Sequence, residues 1–132
     1  MALTVGAKAS RTRVITEQDV EQFAALSDDT NPVHLDESYA ANTRFGKRVA
    51  HGMLTAAIIS AILGNDLPGR GSIYLGQTLK FKAPVYLGDE ITVTVEVVKY
   101  REEKRIATLS TLATNQDGTL VLEGEATVIA PE

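Results

Sequence analysis

The sequence predicts an α+β domain, in which a curled antiparallel sheet wraps one buried central helix. Three observations predict it. After its first two residues, the stretch His51–Leu63 carries only Thr55 and Ser60 as polar side chains, and Gly64 follows it. A helix that is apolar all round belongs in a core, not on a surface. The second half of the chain then alternates apolar and polar residues in four runs, the pattern of half-buried strands. Finally, 132 residues make one domain, residues 1–132, large enough to bury most of its apolar surface. A single small sheet covers an apolar helix only by curling round it.

Taken in order, residues 3–15 mix β-branched residues with Arg and Lys, and a short strand is expected near Arg11–Ile15. Thr16 is placed as a helix N-cap, followed by Glu17 and Asp19, acids that suit the positive end of a helix dipole. Val20, Phe23, Ala24 and Leu26 give that helix one apolar face, and it ends by Ser27. Ser27–His34 reads as a loop, because Pro32 biases Asn31 to an extended conformation and blocks a helix through it. Asp36 caps a short helix at about Glu37–Asn42, and the basic connector Arg44–Arg48 leads to the central helix.

Gly64 sits where a left-handed cap would end the central helix. A turn follows at Leu67–Gly71, and strands are expected at Ser72–Lys82, Glu90–Arg101, Arg105–Thr114 and Thr119–Ile129. Lys80 and Lys82 mark the outward face of the first of these. Pro84 and Gly88-Asp89 break the chain before residue 90. Glu102-Glu103-Lys104 and Asn115–Gly118 are tight connections that suit hairpins, so the four strands read as a meander. Such a sheet has open edges, and pairing them with a second copy is a natural solution.

Composition narrows the function. With 17 acidic against 13 basic residues, the net charge of −4 gives no general attraction to nucleic acid or anionic membrane. The absence of cysteine removes a disulfide framework, a thiolate nucleophile and Cys-ligated metal. Two histidines cannot build a three-histidine metal site, although a site of His and carboxylate stays open. The central run is shorter than the roughly 20 apolar residues a bilayer demands. The N-terminal residues lack the pattern of a signal peptide, and Ala-Pro-Glu is not a peroxisomal address. A soluble cytoplasmic protein is expected.

The chemistry-bearing loop is Asp29-Thr30-Asn31-Pro32-Val33-His34. An Asp and a His brought together can hold one water between them, and an imidazole suits proton transfer at neutral pH. On composition alone, turn-forming Asp and Asn beside an ordinary loop histidine is the more economical account. His51-Gly52 is a second candidate. The first N–H groups of a helix lack internal partners, and a glycine lets an incoming carbonyl approach closely. Taken alone, Gly52 is better explained as permitting a tight approach to the helix.

A resemblance changes that balance. Phe23–His34 followed by Tyr39-Ala40-Ala41 resembles the hydratase-2 motif of MaoC-like proteins, whose Asp-x-Asn-Pro-Val-His core is specific. The similarity continues through Thr43–Gly46, His51–Leu54, Leu67–Gly69, Phe81–Val85 and Gly88-Asp89. It spans nearly the whole chain, as in the single-domain (R)-specific enoyl-CoA hydratases of the PhaJ type. Asp28 departs from the family pattern, which usually has Gly there.

The resemblance implies a hot-dog fold and a homodimer joined edge to edge. It implies Asp29 and His34 as the catalytic pair and Gly52 as the donor to a thioester carbonyl. His51 is given no chemical role, and Asn31 is read as fixing the loop. The substrate would be a trans-2-enoyl-CoA and the product an (R)-3-hydroxyacyl-CoA, with no metal or organic cofactor. Ser60 and Leu63, three apart on the central helix, would limit acyl length if their face borders the acyl tunnel, and are ordinary core otherwise. Arg44, Lys47 and Arg48 are read equally as contacts for CoA phosphates or as a solvated connector.

Three rivals remain: a dehydratase acting on acyl-carrier-protein thioesters, a hot-dog thioesterase, and a non-catalytic acyl-thioester-binding subunit. The Asp-x-Asn-Pro-Val-His loop speaks against the second, and the intact Asp29 and His34 against the third. Acyl length and the pathway served, polyester precursor supply or fatty-acid oxidation, stay open.

Overall fold

The computed structural model describes residues 3–132. Its elements run β1 (Lys8–Val14), α1 (Glu17–Ser27), α2 (Pro32–Leu35), α3 (Glu37–Ala41), α4 (Gly52–Asn65), β2 (Ile73–Phe81), β3 (Glu90–Arg101), β4 (Ile106–Thr114) and β5 (Leu120–Ile129). The strands form one antiparallel sheet in the order β1-β3-β4-β5-β2. Helix α4 packs on β3 and on both edge strands, β1 and β2, so the sheet curls around it.

Local signals set the helix starts. Thr16 accepts from the Asp19 N–H, and the Asp19 carboxylate accepts from the Thr16 N–H, forming a reciprocal capping box. Asp36 caps α3 through the Tyr39 N–H. The core lies between α4 and the sheet. Ile59, Ile62 and Leu63 from the helix meet Ile91, Val93, Val95, Leu109 and Val128 from alternate strand positions.

Four expectations are corrected. The meander holds for β3-β4-β5 only. β2 pairs with β5, and β1 takes the place beside β3. Residues 82–89 carry the chain past the start of α4, where Val85 accepts from the Ala50 N–H and Val49 bridges to Tyr86. A strand's alternation is the same whichever neighbour it pairs with, so sequence did not separate the two orders.

Gly64 is not a left-handed cap. Helix α4 runs on to Asn65, and the turn closes at Gly69, whose φ of 99° lets its N–H reach the Leu63 carbonyl at 3.0 Å. Asn31 is extended and no helix passes through Pro32, as expected, but the loop ends sooner than His34. Pro32 opens the single turn α2 at the first helical position, where a missing N–H costs nothing.

Helix α4 is covered on one face only. Thr55, Ala56, Ile59, Ile62 and Leu63 are buried, whereas Met53, Ala57 and Ser60 are exposed. The apolar run satisfies the sheet on one side and leaves a second apolar face open on the other. No helix among the described residues is long and apolar enough to cross a membrane.

Candidate active site

The Asp29–His34 loop is built by short local bonds. Asp28 ends α1 in the left-handed conformation, with φ 62° and ψ 15°. Ser27 Oγ donates to the Phe23 carbonyl and accepts from the Asp29 N–H, which turns the chain away from the helix. Asn31 Oδ1 accepts from the Val33 N–H and caps α2, so Asn31 shapes the loop. His34 stands in the last turn of α2, half-buried.

The imidazole of His34 is oriented from behind. Its Nδ1 lies 2.8 Å from the Val49 carbonyl oxygen. A carbonyl only accepts, so neutral His34 carries its proton on Nδ1 and presents the Nε2 lone pair. Burial holds this imidazole below the usual histidine pKa. The Val49 bond works the other way, His51 adds to the depression, and Asp29 opposes it.

Asp29, His34, Gly52 and Phe81 line one cavity of ≈ 500 Å³, with Arg44 and Lys82 also on its wall. Gly52 is the first residue of α4, and the N-cap residue His51 makes no side-chain capping bond. That leaves first-turn N–H groups available to a ligand at the positive end of the helix. A Cβ at Gly52 would stand 2.6 Å from Cε1 of Phe81, whose ring covers this position. The site therefore combines a carboxylate, an imidazole lone pair and a helix start on one cavity.

His51 belongs to the same constellation, although sequence reasoning gave it no part. It is 2% exposed. Its Nε2 donates to the Asp29 carbonyl oxygen at 2.9 Å, and its ring stacks on that of His34, with centroids 3.8 Å apart and an interplanar angle of 27°. Phe23 closes the other side, its ring centroid 4.9 Å away. The one signal in the sequence was a histidine at a helix start with no capping duty.

Side-chain donor atoms of Asp29, His34 and His51 lie within 4.8 Å of one another. His34 Nδ1 and His51 Nε2 are both committed to backbone carbonyls, which leaves His51 Nδ1 buried without a partner.

The remaining candidates lie elsewhere. Ser60 opens on a neighbouring hollow between α4 and β2, lined also by Tyr74, Gln77 and Met53. Met53 borders both this hollow and the Asp29–His34 cavity. Leu63, 1% exposed, sits in the core under the sheet. The basic connector is not uniformly solvated. Arg48 is buried, with Nε donating to the His34 carbonyl and NH1 to Glu17, each at 2.8 Å. Lys47 lies over the Tyr86 ring and Arg44 over Phe45.

Comparison with known proteins bears on the family and the fold. The MaoC like domain matches residues 3–117. The chain is 52% identical to an (R)-specific enoyl-CoA hydratase of Aeromonas caviae, over 98% of this chain and 97% of that protein. It is also 52% identical to an (R)-specific enoyl-CoA hydratase of Rhodospirillum rubrum, over 96% of this chain and 87% of that one. The solved (R)-hydratase from A. caviae involved in PHA biosynthesis superposes with a TM-score of 0.96 at 52% identity, covering 98% of each chain. Those structures share its five-stranded antiparallel sheet and helix, the hot-dog fold. With its Asp-x-Asn-Pro-Val-His loop on such a scaffold, this chain belongs to the MaoC-like family.

Proposed function

We propose that this chain catalyses the reversible, (R)-specific hydration of trans-2-enoyl-CoA to (R)-3-hydroxyacyl-CoA. The observation that carries the reading is that the Asp29 carboxylate and the His34 Nε2 lone pair border the same cavity as the uncapped start of α4. Near-full-length 52% identity to (R)-specific hydratases supports it.

The substrate's thioester carbonyl accepts from the Gly52 N–H, which draws electron density from the β-carbon. A preorganised donor of this kind is worth about 3 kcal/mol to a developing oxyanion. Asp29 and His34 hold a water by its two hydrogens. As its oxygen bonds to the β-carbon, an O–H bond breaks and His34 Nε2 takes the proton. The π electrons of the double bond form the new C–H bond at the α-carbon, with the proton returned from the same centre. Asp29 stays anionic and offsets the charge on the imidazolium. CoA enters as part of the substrate, so no separate cofactor takes part.

The acyl chain runs from this cavity past Met53 toward Ser60, while Leu63 lies in the core away from that path. The described residues act as one hot-dog domain. A second copy pairs with an open edge of the sheet, whose outer strands are β1 and β2, giving a homodimer joined edge to edge. The PHA link of the solved relative supports a polyester-precursor role.

The test is to add crotonyl-CoA and follow enoyl absorbance and free thiol together. Absorbance loss without thiol, with (R)-3-hydroxybutyryl-CoA as product, is the expected result. Thiol release would make the protein a thioesterase. No turnover, even with longer enoyl chains, would move it to carrier-protein substrates or to binding alone.

A further inference from the structure

The Asp29–His34 pair is held from beneath by a residue with no place in the hydration step. His51 touches both members at once: its Nε2–H donates to the Asp29 main-chain carbonyl, and its ring lies flat against His34. It is almost wholly buried, and its other nitrogen, Nδ1, has no hydrogen-bond partner. Thr55 Oγ1, one turn further along α4, is likewise buried and unpartnered. A buried polar atom without a partner costs about 1–3 kcal/mol. A Phe or Leu at position 51 would fill the same space without that cost, so packing alone does not account for an imidazole here. What an imidazole adds is a flat ring and an N–H on one rigid frame.

We infer that His51 is a positioning residue that fixes the Asp29 carboxylate and the His34 imidazole relative to each other. It does so from the N-cap of the helix that also supplies the Gly52 N–H. All three parts of the site are thereby referred to one rigid element, which is what sub-ångström alignment of reacting groups demands. Asp29 lies on an exposed loop after α1, where Ser27 and Asn31 contribute only weak local bonds. The His51 bond spans 22 residues and ties that loop to α4. The His34 ring, the Phe23 ring and the Asp29 backbone pack on His51, with the Asp29 carboxylate within 4.8 Å, and its Nε2–H has a fixed acceptor in the Asp29 carbonyl.

The inference rests on the hydration reading of Asp29 and His34, and two substitutions separate its parts. His51→Phe keeps the platform and removes the donor, whereas His51→Gln keeps a donor and removes the platform. With crotonyl-CoA, His51→Phe is expected to lose about 100-fold in kcat with KM within about threefold of the parent. His51→Gln should recover kcat to within about tenfold of the parent. Parent-like kcat in His51→Phe overturns the role. So does an equal fall in both variants with KM rising in step, which is what generic loosening would give.

His34→Ala, run alongside, tests the underlying reading. If it turns over like the parent, that reading fails. If it is inactive while His51→Phe is unaffected, only the inference about His51 fails. Should His51→Phe not fold, the parent protein still decides by nitrogen-15 NMR of its two imidazoles. A bonded proton on His51 Nε2 at neutral pH is required, and its absence overturns the proposal.

Discussion

Arg48 donates through Nε to the main-chain carbonyl of His34 at 2.8 Å, so a buried guanidinium holds the end of the helical turn that carries the imidazole. Its NH1 binds Glu17 on α1, tying α1, α2 and the connector together. Truncation leaves a carbonyl and a carboxylate without their donor. Arg48→Ala should cost about 2 kcal/mol and lower the melting midpoint by roughly 5 °C or more. Arg48→Lys keeps the charge, loses the planar fork, and should fall between the two. A melting curve for each variant checks this, and an unchanged Arg48→Ala midpoint would remove Arg48 from the scaffold.

Asp28 explains its own departure from the family's usual glycine. With φ at 62°, it occupies the left-handed conformation that glycine adopts without penalty and Asp tolerates better than most. Asp28→Gly should be between neutral and about 1 kcal/mol more stable, because relief of strain is partly offset by a freer unfolded chain. Asp28→Val should lose about 1–2 kcal/mol, since a β-branched residue is strained there. Urea titration of the pair tests both signs. Loss of stability in the Gly variant would mean that the carboxylate itself makes a needed contact.

What was legible in the sequence was local. Thr16 and Asp36 announce helix starts because capping bonds reach only three residues ahead. The limits of β3 follow from its unbroken alternation, and the existence of α4 follows from its apolar run. Pairing partners did not follow, because the alternation of β2 is compatible with β3 or β5 on its flank. Asp29, His34 and Gly52 were singled out by type and motif, and all three line one cavity. Arg48 and His51 escaped for one reason: what they do depends on carbonyls 14 and 22 residues away. The all-round apolarity of α4 was read as full burial, whereas the sheet of one chain covers half of it.

The His34 environment sets a pH dependence with a definite sign. Burial lowers its pKa from the usual 6.5 or so. Above that range the Nε2 lone pair is free, and below it a proton blocks it. With crotonyl-CoA, kcat/KM should therefore be level through neutrality, where the lone pair is free. It should fall on the acid side with a midpoint below 6.5, as protonation takes up the His34 Nε2 lone pair. The same shift acts on folding. Below pH 6.5 the unfolded chain binds the proton first, so stability declines as pH falls toward the folded-state value. His34→Ala should lack that part of the decline in urea titrations between pH 7 and 5. A rate midpoint at or above pH 7 would contradict a neutral, buried acceptor.

Gly52 offers the sharpest separation of stability from activity. A methyl there meets the Phe81 ring at 2.6 Å, but that ring is 54% exposed and can swing outward. The folded state should accordingly lose less than about 1 kcal/mol in Gly52→Ala, little more than a surface rearrangement. The N–H of residue 52 is still present, yet the methyl and the displaced ring now occupy the approach of the thioester carbonyl. If that N–H polarises the carbonyl, kcat/KM for crotonyl-CoA should drop at least 10-fold and toward 100-fold, roughly the loss of one oxyanion donor. Adding Phe81→Ala relieves the ring and not the methyl. The double variant should regain only the part of the loss that comes from blocked access. A melting midpoint near the parent's with a large kinetic loss is the expected pairing. Full activity in Gly52→Ala would mean that the carbonyl is bound elsewhere in the cavity.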